Sequence, residues 1–279
     1  MPFLPLRKIA ERPTRSVAHE WLESIKSALA DPSTDRAVLC RDNLTALYYP
    51  EYVGNWETAV NDASVHAATR LSLSSMDPRN ITLEPEYYGE CDDSKFQPVK
   101  PLLWFWYSFD RSPLGGQNVW LGVELRRILA KHIFKRVGEN FKAFQFVEFS
   151  FGYNMEVGDN VVVHRYVLLD DRGGIRLGNG VSISDFANIY SHTHSIVEQR
   201  DVTNAVTVIE DGVRITYHAT VLAGVQVHEQ GMVGAMALAT KDVRPYHVYV
   251  GIPAKSVRVK PNAPEAAMIL RTTGERKAP

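Results

Sequence analysis

Residues 209–243 read IEDGVRITYHATVLAGVQVHEQGMVGAMALATKDV, and the spacing of the apolar residues within them decides the fold. Ile209, Ile215, Val221, Val227, Val233 and Ala239 recur at every sixth position. Four residues after each stands a small or short side chain: Val213, Ala219, Val225, Gly231, Ala237 and Val243. An amphipathic helix repeats every 3.6 residues and a half-buried strand every two, so a sustained period of six with a locked second register fits neither alone. It fits a hexapeptide solenoid, in which each coil buries its apolar positions against the coils above and below.

The frame extends upstream through Val157, Val163 and Leu169, and again through Leu177, Ile183 and Ile189. Two interruptions separate the runs. The first is Asp170-Asp171-Arg172-Gly173-Gly174, a turn-forming cluster in which Gly supplies positive φ and Asp caps its own backbone. The second spans Thr193 to Val208. Insertions into a solenoid leave as loops from one face, and such loops tend to carry function.

The 279 residues, 45% of them apolar, suffice for one large domain or two small ones. A formal net charge of -1 with interspersed signs argues against a general nucleic-acid binder, which carries a basic excess on one face. Cys40 and Cys91 form no disulfide framework and suit a reducing compartment, so the expected location is cytoplasmic. Met1 to Arg15 contains no apolar run of the secretory type. The most apolar stretch, Leu102 to Tyr107, is far shorter than the roughly 20 residues a bilayer span needs, so no membrane span is expected and buried core aromatics are.

A helix is expected over residues 16–30, with Ser16 as N-cap, Ala18, Trp21, Leu22, Ile25 and Leu29 on one face, and Asp31-Pro32 as the stop. From there to about residue 115 the prolines at 50, 78, 85, 98, 101 and 113 break the pattern into short pieces. A second helix is expected over 118–137, closed by Gly138, with Arg126, Arg127, Lys131, Lys135 and Arg136 on a solvated face. The predicted organisation is therefore mainly β. It comprises an N-terminal α-helical and irregular region (1–115), a connecting helix (116–144), a coil domain (145–260) and a tail (261–279) with a short helix over 264–271.

Two of the nine histidines, His192 and His194, stand where the rhythm breaks, in Asn188-Ile189-Tyr190-Ser191-His192-Thr193-His194-Ser195. Three other features accompany this segment: the coil block 209–243, the run Phe151-Gly152-Tyr153-Asn154 leading into Val157-Gly158-Asp159-Asn160, and the ending Gly251-Ile252-Pro253-Ala254-Lys255. Together they resemble the hexapeptide-repeat acyltransferases of the maltose and galactoside O-acetyltransferase type, over roughly residues 118–260. The resemblance implies a left-handed parallel β-helix that assembles as a homotrimer, with active sites in the clefts between neighbouring coils and acetyl-CoA or a related acyl-CoA as donor. It assigns the catalytic imidazole to His194, which follows Thr193. It assigns backbone contacts with the pantetheine arm to Tyr217 and Ala235, and the nucleotide end to Thr240, Lys241, Lys255 and Arg258. Cations near phosphates are physically apt, since charge-assisted bonds to phosphate are the stronger kind. On the acceptor side it points to Asp171, although Val163 stands where the family has Asn, with His164 beside it as a candidate substitute. Gly212-Val213-Arg214 stands where the family has Asn-Val-Trp. His192 occupies a position where the family requires no His, and is a candidate neighbour of the acceptor.

The chemistry needs one well-placed imidazole. A thioester is already activated, so the barrier is the poor nucleophilicity of an alcohol whose proton is tightly held. A neutral His, with an unperturbed pKa of about 6.5, takes that proton as attack begins and passes it to the departing thiolate. Neither cysteine lies in the coil region, so direct transfer is expected, to a hydroxyl of a sugar or other small acceptor and with no metal. Two other classes stay open. One is a zinc carbonic anhydrase on the same fold, for which His164, His192, His194, His218 and His228 supply nitrogens. The other is a non-catalytic trimeric binding or scaffold protein.

Overall fold

The computed structural model describes residues 15–115, 117–198 and 200–265. Six α-helices precede the strands: α1 (Arg15–Ala30), α2 (Arg36–Tyr48), α3 (Trp56–Asn61), α4 (Ala67–Ser74), α5 (Asp93–Arg111) and α6 (Val119–Ile133). Capping sets several starts: the Asp35 carboxylate accepts from Ala37 N at 2.8 Å before α2, and Asp92 accepts from Ser94 N at 3.1 Å before α5. α5 runs for 19 residues through Pro98 and Pro101, where the sequence reading placed breaks. Each proline removes a helical N–H and costs about 3 kcal/mol in an isolated helix. Burial outweighs that here, because Phe96, Leu102, Leu103, Phe105, Trp106 and Phe109 are all completely buried.

The coils follow directly. The first contains β1 (Arg136–Val137), β2 (Lys142–Ala143) and β3 (Glu148–Phe149); the second β4 (Met155–Val157), β5 (Val162–Val163) and β6 (Leu168–Asp170); the third β7 (Ile175–Leu177), β8 (Ser182–Ile183) and β9 (Asn188–Tyr190). A hairpin then leaves the solenoid, β10 (His192–His194) pairing antiparallel with β11 (Val202–Asn204). The fourth coil holds β12 (Thr207–Ile209), β13 (Arg214–Ile215) and β14 (Thr220–Val221); the fifth β15 (Gln226–Val227), β16 (Met232–Val233) and β17 (Leu238–Ala239). β18 (His247–Val250) pairs parallel with β16, and β19 (Lys255–Val259) returns antiparallel on β18.

Every coil gives one strand to each of three parallel sheets, ordered β1-β4-β7-β12-β15, β2-β5-β8-β13-β16-β18-β19 and β3-β6-β9-β14-β17, called faces A, B and C below. The six-residue frame is the inward position of each strand. From Val157 to Ala239 its members are at most 2% exposed. The corners explain the rest of the repeat, because the chain turns there through left-handed backbone. Between faces B and C, Phe146, Tyr166, Phe186, His218 and Met236 have φ of 59°, 58°, 62°, 55° and 60°. None is β-branched, as that conformation demands.

The solenoid starts at Arg136, ahead of the residue 145 at which the sequence reading began the coil domain. α6 ends at Ile133 rather than reaching 137, and Val137, Ala143 and Phe149 already follow the spacing of six. The basic run around Lys131 and Lys135 masked this extension, because it also suited a helix face. The helical region caps this first coil: Trp106, Phe134 and Phe149 pack with ring centroids 4.9–6.4 Å apart. A buried ion pair fastens the cap. Arg126 Nε donates to Asp110 Oδ1 at 2.9 Å and its Nη1 to Ala143 O at 3.1 Å, while Phe146 N donates to Asp110 Oδ2 at 2.7 Å. Most of the helix expected over 264–271 lies outside the described residues.

Candidate active site

The hairpin leaves the corner between faces C and A and carries both histidines of the broken rhythm. The His192 ring is mostly buried and that of His194 exposed; their centroids are 5.2 Å apart at 90°. Asp170, at the end of β6, sits one coil below β9 and points outward. Its Oδ2 meets His192 Nδ1, and its Oδ1 accepts from Ser150 Oγ at 2.8 Å. Arg172 contacts the other side of the imidazole, Nη2 against His192 Nε2. A guanidinium can only donate, so Nε2 is the acceptor and the Nδ1 proton faces Asp170. The Nδ1 approach to Asp170 is a close contact without hydrogen-bond alignment, so it is the Arg172 side that holds the His192 ring as an acceptor. Desolvation holds its pKa below the ordinary imidazole value, with Arg172 and His194 adding to the effect and Asp170 opposing it.

Arg172 is held from the helical region. Glu90 lies 3.2 Å from its Nη1, and the guanidinium carbon stands 4.2 Å over the Tyr88 ring. The result is a chain of contacts from Glu90 through Arg172 to Asp170 and His192, linking the first 115 residues to the hairpin.

Beside this network lies a cavity of about 460 Å³ between the helical region and face C. One wall is Leu83, Pro85, Leu103, Trp104 and Tyr107; the facing wall includes Ser150, Leu168, Asp170, Tyr190 and His192. Its size lies in the range of small-molecule pockets. The segment that makes the first wall carried no readable pattern in the sequence, because its prolines concealed α5.

The other expected residues fall into place as follows. Asp171 is completely buried: its oxygens accept from Phe151 N at 2.7 Å and Asn154 N at 3.1 Å, so they serve the backbone of the preceding coil and face no cavity. Burial pushes its pKa up to about 6 against the lowering effect of those N–H donors. Strand alternation was the available signal, since with Leu169 inward Asp170 must point out. His164 stacks on Phe144 at 4.9 Å at the corner between B and C, a full face away from His192 and His194. Burial lowers its pKa. Tyr217 and Ala235 lie on that same corner one coil apart, joined by Met236 N donating to Tyr217 O at 3.0 Å, and both are exposed. Lys255, opposite Val250 at the end of face B, is close to them, while Arg258 lies further along β19 opposite Val248. Thr240 and Lys241 follow β17, on the corner that also bears His194. Within one chain the expected donor residues thus divide between two corners.

His218 belongs to the B–C corner and His228 pairs with Glu210 at 3.2 Å, so one chain does not gather the five histidines. Among the described residues, no group of three or more His, Cys, Asp or Glu side chains is placed to hold a metal ion. No helix among them is long and apolar enough to cross a membrane.

A three-sided parallel solenoid on a six-residue apolar period is the architecture of hexapeptide-repeat proteins. No protein-family profile matches the chain. The galactoside O-acetyltransferase of Escherichia coli (strain K12) is 28% identical over 140 residues, 49% of this chain and 69% of that protein. Among solved structures, a maltose O-acetyltransferase from Clostridium difficile 630 superposes with a TM-score of 0.54 at 22% identity, covering 62% of this chain and 91% of the other. A hexapeptide-repeat acetyltransferase from Vibrio cholerae O1 biovar eltor, complexed with acetyl coenzyme A, gives 0.52 at 22% identity over 60% and 87%. The chain is similar to the acyltransferases of the maltose and galactoside O-acetyltransferase type, as the sequence reading had it, and the structural likeness is one of fold.

Proposed function

We propose that this chain is a CoA-dependent O-acyltransferase that moves an acetyl group from acetyl-CoA to a hydroxyl of a small acceptor, with His194 as general base. The observation that carries the reading is the hairpin's pair of imidazoles. His192 is mostly buried between Asp170 and Arg172, whereas the exposed His194 ring stands 5.2 Å from it where an acceptor hydroxyl can approach, and this supports His194 as the base. His194 takes the hydroxyl proton as the acceptor oxygen attacks the thioester carbonyl. The new C–O bond replaces the C–S bond, and the imidazolium returns the proton to the leaving thiolate. The acetyl-CoA complex of the Vibrio cholerae neighbour supports the choice of donor.

The assembly is a homotrimer in this reading. Tyr217, Ala235 and Lys255 lie toward one corner and His194, Thr240 and Lys241 toward another, which supports a donor site built between two copies. The proposed location is the cytoplasm, in keeping with two free cysteines.

Calorimetric titration with CoA and acetyl-CoA is the first test, with one site per chain expected; no binding of either would sink the reading. His194→Ala should then keep trimer mass and CoA affinity while losing turnover by roughly 100-fold or more. Undiminished turnover would remove His194 from the mechanism.

A further inference from the structure

On the acceptor side the chain departs from the pattern it resembles, at Val163 and at Gly212-Val213-Arg214, and the cavity against face C bears on it. It lies beside the catalytic hairpin: His192 forms part of its wall, and His194 stands one ring further, 5.2 Å away. Its two walls differ in chemistry. The helical region contributes apolar and aromatic surface through Leu83, Pro85, Leu103, Trp104 and Tyr107, whereas the solenoid contributes Ser150, Asp170 and His192.

The lining carries three carboxylates, Glu84, Glu148 and Asp170, against two guanidiniums, Arg111 and Arg172. Arg172 is shared by Glu90 and Asp170, Arg111 lies 3.9 Å from Glu148, and Glu84 accepts from the Tyr88 hydroxyl. A phosphate or carboxylate would therefore enter against the excess of carboxylates, with Arg172 already shared by two carboxylates and Arg111 more than half exposed at the rim. The polar atoms toward the back are also spent on one another. Asp170 takes Ser150, Arg172 and His192, and Trp104 Nε1 donates to Ser75 O at 2.9 Å. A polyol laid against Leu83, Pro85, Leu103 and Trp104 would lose water from its hydroxyls without gaining partners on that wall. A flat or alicyclic apolar body loses nothing of that kind, and it gains aromatic contact with Trp104 and Tyr107.

We propose that this cavity receives the acceptor, and that the acceptor is an uncharged alcohol whose body is an apolar ring lying against α5 while its hydroxyl emerges past His192 toward His194. The proposal rests on the acyltransferase reading. The transfer is the one described above, with the ring alcohol as the attacking oxygen and free CoA as the second product.

Leu168 tests it. It is the outward residue at the start of β6, on the cavity wall, while its neighbour Leu169 fills the core. Leu168→Trp narrows the cavity, and Leu168→Asn keeps a similar volume but adds polarity. Both should fold, as judged by the circular dichroism spectrum, since neither touches the interior. Acetyl transfer is measured with 2-phenylethanol and cyclohexylmethanol against methyl galactoside and maltose, alongside the affinity for CoA. The expected result is a kcat/KM at least tenfold higher for the ring alcohols than for either sugar. Leu168→Trp should lower it at least tenfold and Leu168→Asn severalfold, through KM, with CoA affinity unaltered. If CoA binds while the sugars are preferred, no ring alcohol is acetylated, or both variants keep the parent kcat/KM, the cavity assignment is overturned alone. If CoA does not bind, the acyltransferase reading itself falls.

Discussion

Asp110→Asn should destabilise the protein more than Arg126→Met does, although both break the same ion pair. The pair is 1–2% exposed, and burial acts against both charges, raising the Asp110 pKa and lowering that of Arg126. Asparagine leaves a guanidinium that stays protonated with Ala143 O as its neutral acceptor, the case of an uncompensated buried charge, worth about 3–5 kcal/mol. Methionine leaves a carboxyl that keeps the Phe146 N–H and can neutralise itself by taking a proton. That cost should be on the order of 1–3 kcal/mol. The remaining Asp110 then has a folded pKa above its unfolded value. The stability it contributes is complete below the unfolded pKa and lost as pH rises through the folded one, so Arg126→Met should come closest to the parent in acid. The double variant should recover most of the Asp110→Asn loss. Urea denaturation followed by tryptophan fluorescence reads all three, because Trp106 lies in the same core. Equal losses for the two single variants, or a double variant that costs their sum, would refute the reasoning. The outcome matters for function because α5 carries Trp104 and Tyr107 as well as Asp110.

Arg172→Met should raise the His192 pKa, since it removes a cation that depresses it and leaves Asp170 in place; an unmoved imidazole titration in proton NMR would deny the contact a role. Asp171→Asn should flatten the acid side of the stability profile. With a folded pKa of about 6, raised above the unfolded one, Asp171 contributes stability that is complete below about pH 4 and lost by about pH 6. The change is on the order of 3 kcal/mol, and parent and variant scans that stay parallel over that window would reject it. Lys241→Ala and Arg258→Ala should weaken CoA binding severalfold with smaller effects on the chemical step, read by calorimetry and single-turnover rates; unaltered affinity would remove them from the donor site.

The solenoid was legible because its core positions obey a strict period that few other structures produce. Every frame residue from Val157 to Ala239 is buried, and the break at Thr193 is where the hairpin leaves. The first two strands of the first coil escaped notice although Val137 and Ala143 keep the frame with Phe149, because the preceding basic run continues a helical pattern. The acceptor side was legible only in part. Asp171 was singled out by motif, but alternation along β6 turns it inward and presents Asp170 instead. Tyr88, Glu90 and Trp104 could not be found at all: Tyr88 and Glu90 meet Arg172 and Trp104 lines the cavity through contacts of large sequence separation, and no local period encodes such a meeting.

The hairpin's tip has one more consequence. Ile196 and Val197 are 103% and 91% exposed, the kind of site where proteases cut first. The coils on either side of it are joined by ladder bonds between β7 and β12, β8 and β13, and β9 and β14. A nick at the tip would therefore sever the chain while leaving two fragments, each contributing part of one continuous core, held together as one body.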